Sequence, residues 1–477
     1  MNNRNAVLIA ILFLIFLFIG RAVVTNPMAQ KNLLVFSLGL FAVFAYLSYK
    51  NTFIAIMAFL LYLPFYSWAK YRIFGNSQLG NLSKDLMLGM IFLSWMIKRI
   101  TGKSGTLNLP PCWTTMIPFF LVATLNIFKA PSIVGGILDW RIQVFYPLTS
   151  IVFFDELRDR EKFYKLLRAL VIAGSIVALI GIFQRIFYQR YGKMLAENMF
   201  GAEAIKTYFL ENRSEILITS TVGWHGVLGL YLTFCIGFLF ILFTDRRQFM
   251  PKWAFISLFV LFTVTLVFTN NRTSWVAFIV LFIFVFIRNR RQRAGLIAMM
   301  AVVFTLFIVN NSFFKQRFSD ILDPLDQESS FNMRYQGWRE YLNVVLENPF
   351  GLGLGHVGMT ASSKSTRVDV DLMQMRGYKR IIDNMYIMIV MATGYPGFLF
   401  YVIFWIAYLA WAFSVHRERK SSITVVGTAM LCITLISGIT GEYVNYILLQ
   451  MYFWVSMAGV LIAERDPERR PAIKEIE

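Results

Sequence analysis

The chain has 477 residues, of which 57% are hydrophobic and only 15% charged, and its mean hydropathy is +0.59. A soluble domain cannot expose so much apolar surface, so this composition excludes one and indicates an all-α polytopic integral membrane protein surrounded by membrane lipids. The net charge of +19 is explained by basic loops beside anionic lipid headgroups, and no basic–aromatic motif points to nucleic acid as a partner.

Apolar runs long enough to cross a bilayer recur along the whole chain and predict twelve to fourteen transmembrane helices. They centre near residues 6–20, 33–48, 52–68, 83–97, 112–128, 136–155, 164–186, 221–243, 253–269, 273–288, 295–311, 385–412, 421–438 and 446–463. We therefore expect one transmembrane domain over residues 1–463, followed by a charged cytoplasmic tail over 464–477.

Short basic segments between these runs predict the orientation, because Lys and Arg beside a span are retained in the cytoplasm. Their positions alternate consistently with fourteen spans, which places both termini in the cytoplasm. The same alternation places two longer loops outside, at residues 187–220 and, between late helices, at about 311–384. Both outer loops are rich in Lys and Arg, which suggests an anionic ligand.

Arg272 stands in the short polar connection "TNNRTSW" between two apolar runs. This position predicts that Arg272 lies at the N-terminus of the following helix, where free N–H groups and the helix dipole favour an anion. Its guanidinium can also donate two parallel hydrogen bonds to phosphate oxygens in a bidentate contact. Arg272 is therefore a candidate phosphate ligand.

Arg334 begins a segment whose spacing of three to four residues predicts an amphipathic helix. The residues on that spacing are Arg334, Trp338, Tyr341, Leu342 and Val345. Arg334 is a second candidate for an anionic ligand, although a local carboxylate such as Asp326 or Glu328 would serve equally as its partner.

The predicted helix leads into the glycine run "NPFGLGLGHVG", residues 348–358, which contains one of only three histidines in the chain. The run lacks the Gly-Lys-Ser/Thr of a nucleotide-binding loop and lies on the predicted outer side, so a nucleotide site is excluded. Gly353 and Gly355 either let the backbone approach a bound ligand or simply turn the chain.

Four motifs in order carry a resemblance to a known family. "TSTVGWHGVLGLYL", "TNNRTSWVAFIV", the Arg334 segment with its glycine run, and "DNMYIMIVMATGYPGFLFY" resemble the O-antigen ligase and O-antigen polymerase superfamily of bacterial envelopes. The resemblance covers about residues 215–412.

The resemblance implies a membrane glycosyltransferase at the outer face of the bacterial inner membrane. It would transfer a glycan from undecaprenyl diphosphate to a sugar hydroxyl by direct displacement with inversion, without metal or other cofactor. The acceptor would be another glycan or lipid A core, and chain-length regulators or other envelope assembly proteins are candidate partners. Arg272 and Arg334 match the diphosphate-binding arginines of the family, and Arg339 and Arg141 are further candidates for that role.

The expected catalytic base depends on a departure from the ligase pattern. Ligases of this superfamily typically have His-Asn at the start of the helix after the large loop, whereas this chain has Asp383-Asn384. Asp383 is a candidate base, but an Asp before an apolar helix is also a favoured N-cap, so both roles remain open. His356 is the second candidate base, and His225 and Asn384 are candidates to line the site.

Asp-Asn looks more like the polymerases, so we favour a polysaccharide polymerase (of O-antigen or exopolysaccharide), with a ligase acting on lipid A core as the alternative. A lipid-linked glycan transporter is a third hypothesis. It is less favoured because few ionisable residues lie in the middles of the predicted spans and no internal repeat is visible.

Overall fold

The computed structural model describes residues 29–72, 74, 78–102, 106–200, 205–210, 213–244, 250–288, 330–358 and 384–465. Helices make up nearly all of this part of the chain, which confirms the all-α membrane fold. The predicted spans at 6–20 and 295–311 lie outside the described residues, as do most of the predicted large loop and the tail from residue 466. Each of the other twelve predicted spans falls on helical residues.

Contacts divide the chain into two compact units that alternate in sequence. The first comprises residues 1–108 and 152–272, and the second comprises residues 109–151 and 273–477.

The first unit is built around a long helix. Its elements are α1 (Ala29–Lys50), α2 (Thr52–Tyr62), α3 (Tyr66–Arg72), α4 (Gln78–Ile100), the end of α8 (Ser150–Glu156), α9 (Arg160–Phe200), β1 (Ile205–Leu210), β2 (Arg213–Ile218), α10 (His225–Thr244) and α11 (Lys252–Phe268). Helix α9 packs against α10, α11 and α2, and α10 is buried almost throughout.

The second unit surrounds a long kinked helix. Its elements are α5 (Met116–Leu125), α6 (Ile133–Trp140), a π-helical turn (Arg141–Phe145), α7 (Tyr146–Leu148), α12 (Arg272–Arg288, from Thr273 onward), α13 (Ser330–Glu347), α14 (Met385–Arg419), α15 (Ser422–Thr440) and α16 (Ile447–Arg465). Helix α14 packs against α5, α13, α15 and α16.

Seven helical segments of the described chain are long and apolar enough to span a membrane. They are Thr52–Tyr71, Pro111–Lys129, Arg160–Tyr191, His225–Thr244, Met385–Arg419, Ser422–Thr440 and Ile447–Arg465. Two shorter apolar helices, Lys252–Phe268 and Arg272–Ile287, accompany them.

Two predicted segments differ from the structure. The segment at 187–220, predicted as a loop, continues α9 to Phe200 and then forms an antiparallel hairpin in which Ile205 pairs with Ile218. The span predicted at 136–155 is interrupted by the π-helical turn and by Pro147. Hydropathy detected the polar character of 187–220 and the apolar character of 136–155, but it does not report where a helix continues or breaks.

A buried ion cluster joins α4 to the C-terminal end of α8 in the first unit. The Asp155 carboxylate, whose side chain is 5% exposed, forms ion pairs with Arg99 and Arg158. Trp95 Nε1 also donates to Asp155 Oδ2 at 2.8 Å. Two guanidinium groups and an indole therefore surround one carboxylate, which compensates its burial.

Candidate active site

Helix α14 breaks at Gly394, which has φ +70° and ψ −175°. Pro396, two residues later, has no N–H to donate to the carbonyl of Ala392. The break therefore removes the normal helical partners of the Met391 and Ala392 carbonyls. Buried carbonyls need other donors.

The glycine run supplies those donors. Leu352 N donates to Met391 O at 2.8 Å, and Gly353 N donates to Ala392 O at 3.1 Å. In return, Tyr395 N donates to Pro349 O at 2.9 Å. The run and the kink are thus joined through main-chain atoms.

The two backbones approach so closely that only glycine fits at the crossing. A Cβ on Gly351 would lie 2.5 Å from Gly394 N, and a Cβ on Gly394 would lie 2.4 Å from Phe350 C. Both residues also have positive φ, which L side chains adopt at a cost. Gly351 is therefore required for the close contact with the kink of α14, whereas Gly353 and Gly355 lie against the backbone of Lys129 and Gly135.

Asp139 forms a hydrogen bond with the next part of the glycine run, at Gly355. This aspartate at the end of α6 is 3% exposed, and its Oδ2 accepts a hydrogen bond from Gly355 N at 3.1 Å. Arg141, which begins the π-helical turn, acts on the carboxylate through its charge and lies 5.8 Å from the ring of Tyr146. Because Gly355 precedes His356, Asp139 fixes the backbone that presents the half-buried imidazole.

Asn384 is the N-cap of α14. Its side-chain oxygen accepts from Tyr386 N at 3.0 Å and from Ile387 N at 3.2 Å. The sequence made Asp383 a candidate N-cap of α14, but the N-cap is the next residue. Asn384 is the last residue with extended backbone angles before the helix. Asp383 itself lies outside the described residues.

Glu442 is buried beside the point where the glycine run ends. It follows α15, and its Oε2 accepts from Asn445 Nδ2 at 3.2 Å. The same Asn445 Nδ2 lies 3.2 Å from Met388 Sδ, in the first turns of α14. A Cβ on Gly358 would lie 3.4 Å from Glu442 Oε2. A buried carboxylate therefore adjoins both the last described residue of the run and the start of α14.

Sequence reasoning missed Asp139 and Glu442. Asp139 offered a signal, since a carboxylate within a predicted span marks a functional site by default. Glu442 stands between two predicted spans, "GEYVNY", and nothing in its local pattern indicated that the residue is buried.

Arg272 and His225 belong to the first unit. Arg272 is the first residue of α12, so its predicted position at a helix N-terminus is confirmed. His225 is the first residue of α10, and its ring stacks on Trp224 with a centroid distance of 5.8 Å. The other described candidates, Arg141, Gly353, Gly355, His356 and Asn384, belong to the second unit.

Arg334 and Arg339 both lie on α13, the helix predicted to lead into the glycine run. The side chain of Arg334 lies outside the described part, and Arg339 is exposed. Tyr341 and Val345 are buried as predicted, but Leu342 is 49% exposed. Val344 takes its place on the buried side because that side faces α14.

Residues 257–402 match the family model described as O-antigen ligase. The matched segment contains Arg272, Arg334, Arg339, His356 and Asn384 together with the glycine run, and it confirms the recognition made from the motifs. No curated protein matches the chain. The chain is an integral membrane protein whose residues 257–402 are similar to O-antigen ligases, and this similarity supports glycan processing of the ligase or polymerase type at the inner membrane.

Proposed function

We propose, from the similarity of residues 257–402 to O-antigen ligases, that the chain is an inverting glycosyltransferase that takes its glycan from undecaprenyl diphosphate. The acceptor is a sugar hydroxyl at the outer face of the inner membrane, and both termini are cytoplasmic. The observation that carries the proposal is the match over residues 257–402, which contains both arginines expected to bind diphosphate.

Arg272 and Arg334 hold the donor diphosphate in this mechanism, with Arg339 and Arg141 as further cations for it. The position of Arg272 at the start of α12 supports its role, because unpaired N–H groups and the dipole at a helix N-terminus attract an anion. A guanidinium also stabilises the negative charge that develops on the leaving diphosphate.

The transfer makes one bond and breaks another. The acceptor oxygen attacks the anomeric carbon, and the carbon–oxygen bond to diphosphate breaks with its electron pair going to undecaprenyl diphosphate. The proton of the acceptor hydroxyl passes to a base on the protein. No metal and no nucleotide sugar are required.

Asp383 is the proposed base, and His356 is the second candidate. Because Asn384 supplies the cap of α14, Asp383 is not needed for that task, which supports a chemical role for its carboxylate. His356 is presented by backbone that Asp139 fixes at Gly355. Gly353, Gly355, Asn384 and His225 remain proposed lining residues.

We favour a polymerase, which extends a lipid-linked glycan, over a ligase that caps lipid A core. Asp383-Asn384 replaces the His-Asn of typical ligases, and this difference supports the polymerase. Chain-length regulators are then the fitting protein partners.

The first test uses purified protein in detergent with an undecaprenyl diphosphate-linked oligosaccharide. Longer lipid-linked glycans and released undecaprenyl diphosphate are expected. Movement of the glycan across sealed vesicles without new glycosidic bonds would instead identify a transporter.

A deletion strain separates the two acceptors. Loss of a polymerase should leave lipid A core carrying a single repeat unit, or should abolish the exopolysaccharide. Core without any attached repeat would identify a ligase. Complementation with the unmutated gene is the control.

A further inference from the structure

Helix α13 exposes a row of large side chains that the proposed function does not use. Tyr335, Leu342 and Leu346 are 56%, 49% and 69% exposed, and Phe350 just after the helix is 66% exposed. Arg339 is exposed on the same side. We call these five residues the exposed stripe; their spacing of three to four residues places them along one side of the helix.

The rest of α13 is divided between two other sides. Tyr341, Val344 and Val345 are buried, on the side that packs against α14. Asn343 and Glu347 are exposed polar residues beside the stripe, at its edge opposite the buried side. The helix thus has a protein-facing side, an apolar exposed side and a polar exposed side, in that order around its axis.

The depth of the stripe relative to the bilayer follows from α14. Residues 395–419 alone are long enough to cross the roughly 30 Å hydrocarbon core at about 1.5 Å per residue. This part ends in a basic turn containing His416, Arg417 and Arg419. The kink at Gly394 must then lie near the opposite surface of the bilayer, and the hydrogen bond from Tyr395 N to Pro349 O holds the end of α13 at that level.

The lipid-facing surface of α14 continues directly into the stripe. Leu399 and Ile406 on α14 are 57% and 58% exposed, and Tyr395 at the kink is 45% exposed. Phe350 follows Pro349, the partner of Tyr395, so the apolar surface of the span runs on to the end of α13. Tyr and Trp are the residues usually found where such a surface meets the headgroups.

Cations accompany this apolar surface at the same level. Lys129 Nζ donates to Phe350 O at 3.0 Å and lies 5.8 Å from the centre of the Phe350 ring. Arg339 stands within the stripe itself. Basic side chains among exposed apolar ones are typical of helices that lie in the plane of the membrane interface.

We propose that α13 is an interfacial helix whose exposed stripe is covered by phospholipid. Leu342, Leu346 and Phe350 contact acyl chains near the headgroups, and Lys129 contacts lipid phosphates. This surface fixes the glycine run at the depth of the headgroups. The proposal does not depend on what reaction the protein performs.

Spin labels test the proposal in the full-length protein. Two of the three native cysteines, Cys112 and Cys235, are buried, whereas Cys432 is half-buried and would compete for the label. Leu342→Cys and Leu346→Cys, each with Cys432→Ser, are labelled and reconstituted in phosphatidylethanolamine–phosphatidylglycerol vesicles. Collision rates with oxygen, which concentrates in lipid, and with a water-soluble nickel chelate are then compared. Leu399→Cys gives the lipid reference, and Asn343→Cys on the polar side of α13 is the matched control.

Labels at both stripe positions should show the high oxygen-to-nickel ratio of Leu399, several-fold above that of Asn343. The side chains replaced by cysteine are all exposed, and serine is nearly the same size as the half-buried Cys432, so the fold should tolerate these changes. A ratio at Leu346 and Leu342 equal to that at Asn343 would mean that water covers the stripe and would overturn the proposal. Low collision rates with both reagents would mean that protein covers the stripe, and this result would also overturn the proposal.

Discussion

Asp155 in the first unit and Asp139 in the second are both buried carboxylates, but their surroundings differ in kind. Asp155 forms ion pairs with Arg99 and Arg158, whereas Asp139 accepts a backbone N–H from Gly355 with Arg141 acting through its charge. The first arrangement depends on ion pairs with a negative charge, while the second depends first on a hydrogen-bond acceptor and to a smaller extent on charge. The ion cluster thus serves stability, and the region around Asp139 positions a loop that belongs to the candidate active site.

The largest effect is expected at Asp383, where replacement should impair chemistry and leave the fold intact. Asp383→Asn removes the proposed proton acceptor, a role that contributes roughly a hundred- to ten-thousandfold in rate. Glycan transfer by purified protein should fall by that factor, while donor binding and thermal stability stay close to the unmutated values.

Asn384→Asp is the matched control, because a carboxylate still caps α14, and it should keep most activity. His356→Gln should also stay active. If Asp383→Asn transfers glycan normally and His356→Gln does not, the role of base passes to His356.

Arg272 tests whether an arginine of the site acts through charge alone. Arg272→Ala should lose roughly 2–4 kcal/mol of transition-state stabilisation, as other donors to a developing anion do. Glycan transfer by Arg272→Lys should also be impaired, since an ammonium group cannot replace the bidentate contact of a guanidinium. Single-turnover rates of transfer measure both variants, and normal turnover by Arg272→Ala would remove this residue from the site.

Asp155→Asn tests the ion cluster. The variant leaves Arg99 and Arg158 without their shared negative charge, and breaking a buried pair in this way costs about 3 kcal/mol of the free energy of unfolding. Chemical unfolding in detergent, followed by tryptophan fluorescence, measures the loss. Glu161→Ala, which breaks an exposed pair with Lys165, is the control and should change stability by less than about 1 kcal/mol.

Asp139→Asn completes the comparison and should have the smallest effect on stability. The amide oxygen can still accept from Gly355 N, so the free energy of unfolding should change by less than about 1 kcal/mol, whereas Asp139→Ala leaves that N–H unpaired at a cost of about 1–3 kcal/mol. The same unfolding assay applies. A loss at Asp139→Asn as large as at Asp155→Asn would show that the two aspartates do not differ in the way described.

Sequence reasoning recovered what depends on local composition. Hydropathy located the helices, and the polar turn "TNNRTSW" correctly placed Arg272 at a helix start. The cap of α14 was off by one residue because Asp and Asn cap helices equally well, and only the backbone angles distinguish them.

The remaining features depend on partners distant in sequence. The glycine run pairs with carbonyls about forty residues later, and those carbonyls need donors only because α14 breaks at Gly394. Leu342 fits an apolar periodicity as well as Val344 does, and only the position of α14 determines which of the two is buried. No local pattern carries this information.

The joint between the glycine run and α14 has a consequence for how this region can change during evolution. Its hydrogen bonds join main-chain atoms of Leu352, Gly353 and Tyr395, so substitutions at Leu352 or His356 leave the bonds in place. An inserted or deleted residue between Pro349 and Gly353 would shift the donors by one position and misalign them with Met391 and Ala392. Outside its glycines, the segment should therefore accept new side chains, and with them new substrates, far more readily than a new length.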